Sequence, residues 1–370
     1  MKESTFIPKP FNHESEHAAI FSIVKRYRER VLYKSLFLAA SFIILITTML
    51  VAISIGTIEI PLGKVITAVF AYFLPTGNQL DENIINIIGN IRLPRVLTGM
   101  VVGMGLGVSG AVMQTVLRNP MASPFTLGVA AGAGLGAALA IICSIGFFGL
   151  TGKYMIVLNA FIFSIVVSLI ILGIATLRGN TPHSLILAGI AIMFFCHALI
   201  TLITYFSDVY ATREIMFWMV GSLGKADWNG FMVMFVTFLC VFPYLLFKAN
   251  DLNRMAMGDE VAKSLGVAIK QTRVYLMLAL SLLVATIVSF TGTIGFVGLV
   301  VPHIVRMMIG SDNRFVIPAS ALIGGILLVS ADAFALNAFK PVVLPVGVVT
   351  SFIGSPLFVY LILRRRREIM

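Results

Sequence analysis

Apolar and polar positions fall into long blocks along this chain. Residues 96–117 contain no charged side chain, and the block stops at Arg118 and an Asn119-Pro120 turn. It restarts as RNPMASPFTLGVAAGAGLGA, residues 118–137, dense in Gly and Ala. A membrane crossing needs about 20 apolar residues. A block, a tight turn and a second block therefore read as a chain that crosses a bilayer and turns back. The small residues predict that the second pass packs closely on its neighbours. The same pattern predicts ten crossings, at 35–58, 96–117, 124–148, 154–177, 184–206, 229–247, two within 274–305, 315–336 and 344–363. The 274–305 run is too long for one pass and is broken at Thr291-Gly292-Thr293-Ile294-Gly295. The fold class is an all-α polytopic membrane protein, with a basic arm at 1–34 and a ten-helix transmembrane domain at 35–370.

Composition supports this class. The chain has 370 residues, 59% hydrophobic and 12% charged, against about 25% charged in a soluble domain. Its net charge of +11 would suggest nucleic acid in a soluble protein, but here the basic residues sit at segment ends, and no nucleic-acid partner is expected. With the N-terminus in the cytoplasm, the outside keeps only Lys64, Arg92, Arg95, Lys153, Arg213, Lys225 and Lys340 of the 27 Lys and Arg. That bias fits the positive-inside rule and an even number of crossings, with both termini cytoplasmic. The first long apolar stretch begins near Leu36 and is too long for a signal-peptide core. Cys143, Cys196 and Cys240 lie in apolar stretches without ligand spacing and read as small buried hydrophobes.

Few residues could carry chemistry inside the bilayer. Asp332 is the one plain intramembrane acid, and it reads as a residue bonded to a neighbouring helix in preference to a proton relay. His183, His197 and His303 are far apart, and His303 reads as structural. No metal site is expected. Gly63-Lys64, Gly152-Lys153 and Gly224-Lys225 lack the Ser or Thr and the upstream Gly of a phosphate loop. Uphill transport would need nucleotide energy from another chain.

The loop at 250–273, NDLNRMAMGDEVAKSLGVAIKQTR, alternates apolar residues with charges and carries Gly258 and Gly266. It predicts two short amphipathic helices with a turn at Gly258. They could dock a cytoplasmic partner or lie on the bilayer surface. On the other side, Arg92-Leu93-Pro94-Arg95 could grip carboxylates of a soluble partner or anchor a helix end by snorkelling. The segment 208–230, with Phe217, Trp218 and Trp228, fits a helix along the interface. The arm at 1–34 reads as a surface-lying or partly disordered extension.

Five stretches together resemble the iron-chelate and vitamin B12 permease family of type II ABC importers. They are IRLPRVLTGMVVGMGLGVSGAVMQTVLRNPMASPFTLGVAAGAG (91–134), FWMVGSL (217–223), LNRMAMGDEVAKSLGV (252–267), GTIGFVGLVVPHIVRMMIGSDNR (292–314) and LPVGVVTSFIGSPLFVYLIL (344–363). The resemblance runs from about residue 35 to the C-terminus. It implies a homodimer of ten-helix subunits in the prokaryotic cell membrane. Two cytoplasmic ATP-binding subunits, holding ATP and Mg, and an extracytoplasmic substrate-binding protein complete the assembly. No cofactor is implied for this chain. Leu252, Gly258, Asp259, Glu260, Lys263 and Gly266 match the family's ATPase-coupling helices. Arg92 and Arg95 match arginines that dock the binding protein. Asn119, Pro120 and Met121, with Thr181, Pro182 and His183, match loops that close the cytoplasmic end of the path. The family's further Arg and Glu near the ninth and tenth crossings are Leu336 and Val343 here, and Lys340 stands one turn on from the first.

The reading is thus a permease subunit, without an enzyme site of its own, for a metal chelate: a ferric siderophore first, cobalamin or haem next. The rivals are a stand-alone ion-coupled transporter and a non-transporting scaffold or receptor subunit.

Overall fold

The computed structural model describes residues 13–56, 59–74, 81–147 and 149–365, and among them every regular element is a helix. In chain order these are α1 (His13–Ser54), α2 (Leu62–Phe73), α3 (Glu82–Asn86), α4 (Leu93–Val116), α5 (Val129–Cys143), α6 (Gly152–Leu177), α7 (Pro182–Tyr205), α8 (Val209–Val220), α9 (Trp228–Phe247), α10 (Ala249–Ala256), α11 (Asp259–Ser264), α12 (Ile269–Thr291), α13 (Val297–Ile309), α14 (Asn313–Asn337) and α15 (Val346–Arg365). A π-type turn, Ile87–Arg92, joins α3 to α4, and a 3₁₀ turn, Pro124–Leu127, precedes α5. Seven of these helical stretches are long and apolar enough to span a membrane; α2, α5, α13 and the apolar part of α15 are shorter.

α4 is the axis of the bundle. Its sequence is apolar on all sides, so it is buried rather than half-exposed. Of its most apolar window, 83% lies inside the protein, against 22% for α1 and α7 at the rim. Gly103 and Gly107 let α4 lie backbone to backbone on α14. A Cβ on either would come within 2.2 Å of a carbonyl oxygen, that of Gly324 or Ser320. Gly136 does the same for α5 on α6, where a Cβ would meet the Asn159 carbonyl at 2.3 Å. Where lipid is as apolar as the side chains, such close backbone contact supplies the packing that water would otherwise enforce.

Several boundaries differ from the sequence reading. The helix that carries the first crossing starts before Ser35: α1 runs unbroken from His13, so the described part of the arm continues that helix. Residues 1–12 lie outside the described residues. Lys25 to Lys34 mark where a helix leaves an apolar environment, not where it ends, because a helix satisfies its own backbone in either medium. α3, the π turn and α4 form one stretch from Glu82 to Val116, longer than the predicted 96–117. The third crossing is shorter than 124–148: α5 has 15 residues between left-handed residues at Gly128 and Ser144. The predicted break in 274–305 is present, with α12 ending at Thr291 and α13 starting at Val297. Cys196 is buried, but Cys143 and Cys240 are exposed on the apolar exterior.

Candidate functional site

At one end of α4, three loops converge. The predicted pair of short helices is α10 and α11, and the turn between them is at Gly258, whose φ of +117° disfavours any side chain. Leu252 and Met255 on α10, with Ala262 on α11, anchor the pair in the core. Met257, Val261 and Leu265 recur at four-residue steps and are exposed, flanked by exposed Glu260, Lys263 and Gly266.

Asp259 ties this corner to the rest of the end. Its carboxylate accepts two bonds from Arg273 Nη2, at 3.0 and 3.1 Å, and Arg118 Nη2 approaches it at 3.4 Å. Arg273 is only 2% exposed, and its Nη1 donates to the Asn180 carbonyl. Asn180 Nδ2 in turn donates to the Lys270 carbonyl at 3.0 Å. Arg118 and Asn180 both have left-handed backbones, with φ of +48° and +55°. Each follows the end of a long helix, where a left-handed residue turns the chain away, and each is followed two residues on by proline, Pro120 or Pro182.

The two loops after these caps hold the residues matched to a gate. Asn119 Oδ1 accepts from the Met121 N–H at 2.9 Å. Thr181 caps α7 in a reciprocal box with Ser184, and Pro182 takes the first helical position. Pro120, Met121, Thr181 and His183 are exposed, while Pro182 is buried. The structure therefore gathers Asp259, Arg118 and the 119–121 and 181–183 loops in one cluster. Sequence reasoning missed Arg273 and Asn180. The available signal was a single Arg opening an apolar helix and an Asn after a Gly at a helix end.

α10 is also fixed to the base of α14. Asn253 donates to Asp312 Oδ1 at 2.8 Å and accepts from the Asn313 N–H at 2.8 Å. Burial pushes the Asp312 carboxyl up, but hydrogen bonds from Arg314 and Asn253 outweigh it and hold the group at about 2.

The opposite end of α4 carries the other predicted group. Arg95 grips Asp332 of α14 with both arms of its fork, at 2.8 and 2.9 Å; the side chains are 16% and 5% exposed. Asp332 thus bonds a neighbouring helix, as its setting suggested. Arg92 Nη1 donates to the carbonyls of Ile53 and Ser54 at the end of α1. Lys340, Phe339 and Val343 are exposed nearby in the chain, and Leu336 is half-buried. At the same kind of surface, burial raises the Asp227 carboxyl, but bonds from Lys153 and the Gly230 N–H dominate, and its pKa lies below the ordinary value.

Between the ends, the break after α12 meets the end of α8 and the start of α15. Ser222 N–H donates to the Thr291 carbonyl, Gly347 N–H to the Gly221 carbonyl, and Thr293 Oγ1 to the Met219 carbonyl. Two grooves flank this junction. One, of about 480 Å³, includes Arg213, Glu214, Phe217, Trp218 and Val343. The other, of about 730 Å³, includes Phe125, Met219, Thr293, Ser351 and Ser355, and no charged residue. Among the described residues no group of three His, Cys, Asp or Glu could hold a metal ion.

Comparison with known proteins gives a consistent result. Residues 43–364 match the model of the FecCD transport family. A protein of Methanocaldococcus jannaschii described as an ABC transporter permease is 41% identical over 94% of this chain and 99% of its own length. The hemin transport system permease HmuU of Yersinia pestis is 42% identical over 75% of this chain and 84% of its own. The vitamin B12 import permease BtuC of Vibrio vulnificus is 38% identical over 56% and 62%. A solved structure described as an inward-facing metal-chelate type ABC transporter superposes with a TM-score of 0.77, at 29% identity, over 88% of this chain and 98% of the other.

Proposed function

Because this chain belongs to the FecCD transport family, and so is a multi-pass permease of the prokaryotic cell membrane, we propose that it is the membrane subunit of an ATP-driven importer for a bulky metal chelate. It works as a homodimer with two cytoplasmic ATP-binding subunits and an extracytoplasmic binding protein. Ten helices cross: the seven long stretches together with α5, α13 and α15. Both termini face the cytoplasm, and α2 and α8 lie along the outer side.

The observation that carries this reading is the cluster on Asp259. The exposed Met257, Val261 and Leu265 stripe gives the ATPase an apolar contact, and Leu252 anchors α10 beneath it. Gly258, Glu260, Lys263 and Gly266 shape and rim the contact. A push on that corner reaches the Asn119–Pro120–Met121 loop through Arg118, and the Thr181–Pro182–His183 loop through Arg273 and Asn180. The chain itself catalyses no covalent step, and ATP and Mg belong to the partner. Cargo passes along α8 and α15 beside the uncharged groove, whose lining offers a large charged chelate no ion pair to hold it.

The binding protein docks at the Arg95 end. Arg92 and Arg95 have committed part of their forks to the permease itself, so exposed Lys340 makes the first contact there. An ion-coupled mechanism is disfavoured by one observation: Asp332, the acid it would use, is held by Arg95.

The test is reconstitution in liposomes with radiolabelled ferric siderophore, hemin and cobalamin. Uptake of one of them should require ATP, the ATPase and the binding protein. Uptake by this chain alone, abolished by an ionophore, would overturn the reading.

A further inference from the structure

Residues 13–42 of α1 precede the stretch that matches the family, which begins at 43. Arg26, Arg30 and Lys34 recur there at four-residue steps and so share one helix face. With Glu29 and Tyr33 they form one wall of an open groove of about 650 Å³, and the α13–α14 turn from Met308 to Ser311 forms the other. Lys34 Nζ stands 5.1 Å from the centre of the Phe315 ring on α14, which pins this wall to the bundle. Arg26 and Arg30 are exposed, and neither has an ion-pair partner among the described residues. The lining sets three cations against one acid.

The position of the groove selects its ligand. Beyond Arg30 α1 exposes Leu32, Leu36, Phe42 and Ile43, and before the basic run it also exposes Phe21 and Val24. Tyr27 and Tyr33 are exposed at the same level, where aromatic rings with a polar tip mark a membrane interface. Met308 exposes an apolar side chain on the facing wall. A free phosphate would use only the cations. A lipid would use both features, with its phosphate on the guanidinium forks and its acyl chains along the Leu32 and Leu36 side. Basic pockets between spanning helices on the cytoplasmic side suit acidic headgroups.

We propose that this groove binds the phosphate-bearing headgroup of an anionic glycerophospholipid, with Arg26 and Arg30 as its ligands. The site stands apart from the transport path and does not depend on the cargo or on the ATPase.

The full chain, purified in detergent, is titrated with phosphatidylglycerol or phosphatidylcholine and read by native mass spectrometry. Two double variants remove equal charge: Arg26→Gln with Arg30→Gln, in the groove, and Lys25→Gln with Arg28→Gln, on the opposite side of α1. All four positions are exposed, so neither double variant removes a core contact. The wild type should prefer phosphatidylglycerol on the order of tenfold, the groove variant should lose that preference, and the opposite-face variant should keep it. Equal loss in both variants would mean diffuse attraction and overturn the site. So would a wild type without preference, a groove variant that keeps its preference, or inorganic phosphate competing as well as the lipid does.

Discussion

The two ends of α4 treat their arginines differently. At one end Arg95 is paired one to one with Asp332, bidentate and nearly dry. At the other, Arg118 reaches Asp259 at 3.4 Å, shares it with Arg273, and leaves 40% of its side chain in solvent. The first arrangement fixes α4 on α14, where Gly103 and Gly107 already bring the backbones together. In the second, one carboxylate is shared unequally, between the buried Arg273 at 3.0 and 3.1 Å and the exposed Arg118 at 3.4 Å. One helix thus carries a dry clamp at one end and a partly solvated, shared contact at the other, and the coupling motion proposed above is expected at the second.

Breaking the clamp should have the largest effect. Arg95→Ala leaves a buried carboxylate unpaired and should cost about 3–5 kcal/mol, read as thermal stability in detergent. Adding Asp332→Ala should restore most of it. If Arg95→Ala proves neutral in stability while binding-protein affinity falls, Arg95 serves docking and the clamp is wrong. Next, Arg273→Gln removes charge-assisted bonds from the buried side of the Asp259 cluster, each worth about 1.5–3 kcal/mol. The assembled transporter should still hydrolyse ATP, but uptake per ATP should fall. Unchanged coupling would show that the corner communicates by another route.

Arg118→Gln tests the shared contact at its exposed side. Its pair is surface-accessible, so stability should change by no more than about 1 kcal/mol, with a partial loss of coupling. A stability loss as large as that of Arg95→Ala would erase the contrast between the two ends. A pH-dependent effect is expected at Asp312, at the base of α14. Its carboxyl is held at about 2 in the fold, below its ordinary value near 3.9. The stabilisation is complete above the ordinary value and fades as pH falls toward 2. Wild type and Asp312→Asn should therefore differ in melting temperature at pH 6 and still at pH 4, keep about half of that difference at pH 3, and converge only as the pH nears about 2.

Local features were legible in the chain. Gly258 between two amphipathic stretches announced a corner, and Thr291-Gly292 announced a broken crossing, because each is set by neighbours in sequence. The partners of Asp259 were not legible, since Arg118 and Asn180 come from other loops and the bonds depend on how the helices stack. Arg95 and Asp332 are 237 residues apart, so a bond from Asp332 to a neighbouring helix was legible, but Arg95 as its partner was not. The continuation of α1 to His13 was hidden for a different reason. Hydropathy records where the solvent changes, and a helix can pass that level unaltered.

α13 has 13 residues, about 20 Å of helix, against a hydrocarbon layer of about 30 Å. In the ten-crossing reading proposed above, the irregular stretch after Thr291 would complete that crossing, and unpaired peptide groups at such depth persist only where protein or water covers them. Here the ends of α8 and α15 supply the cover. Sliding the end of α8 alone would break its bonds to Thr291 and Thr293, and Gly347 ties α15 to that same end, so the three segments form one linked carriage rather than separate doors.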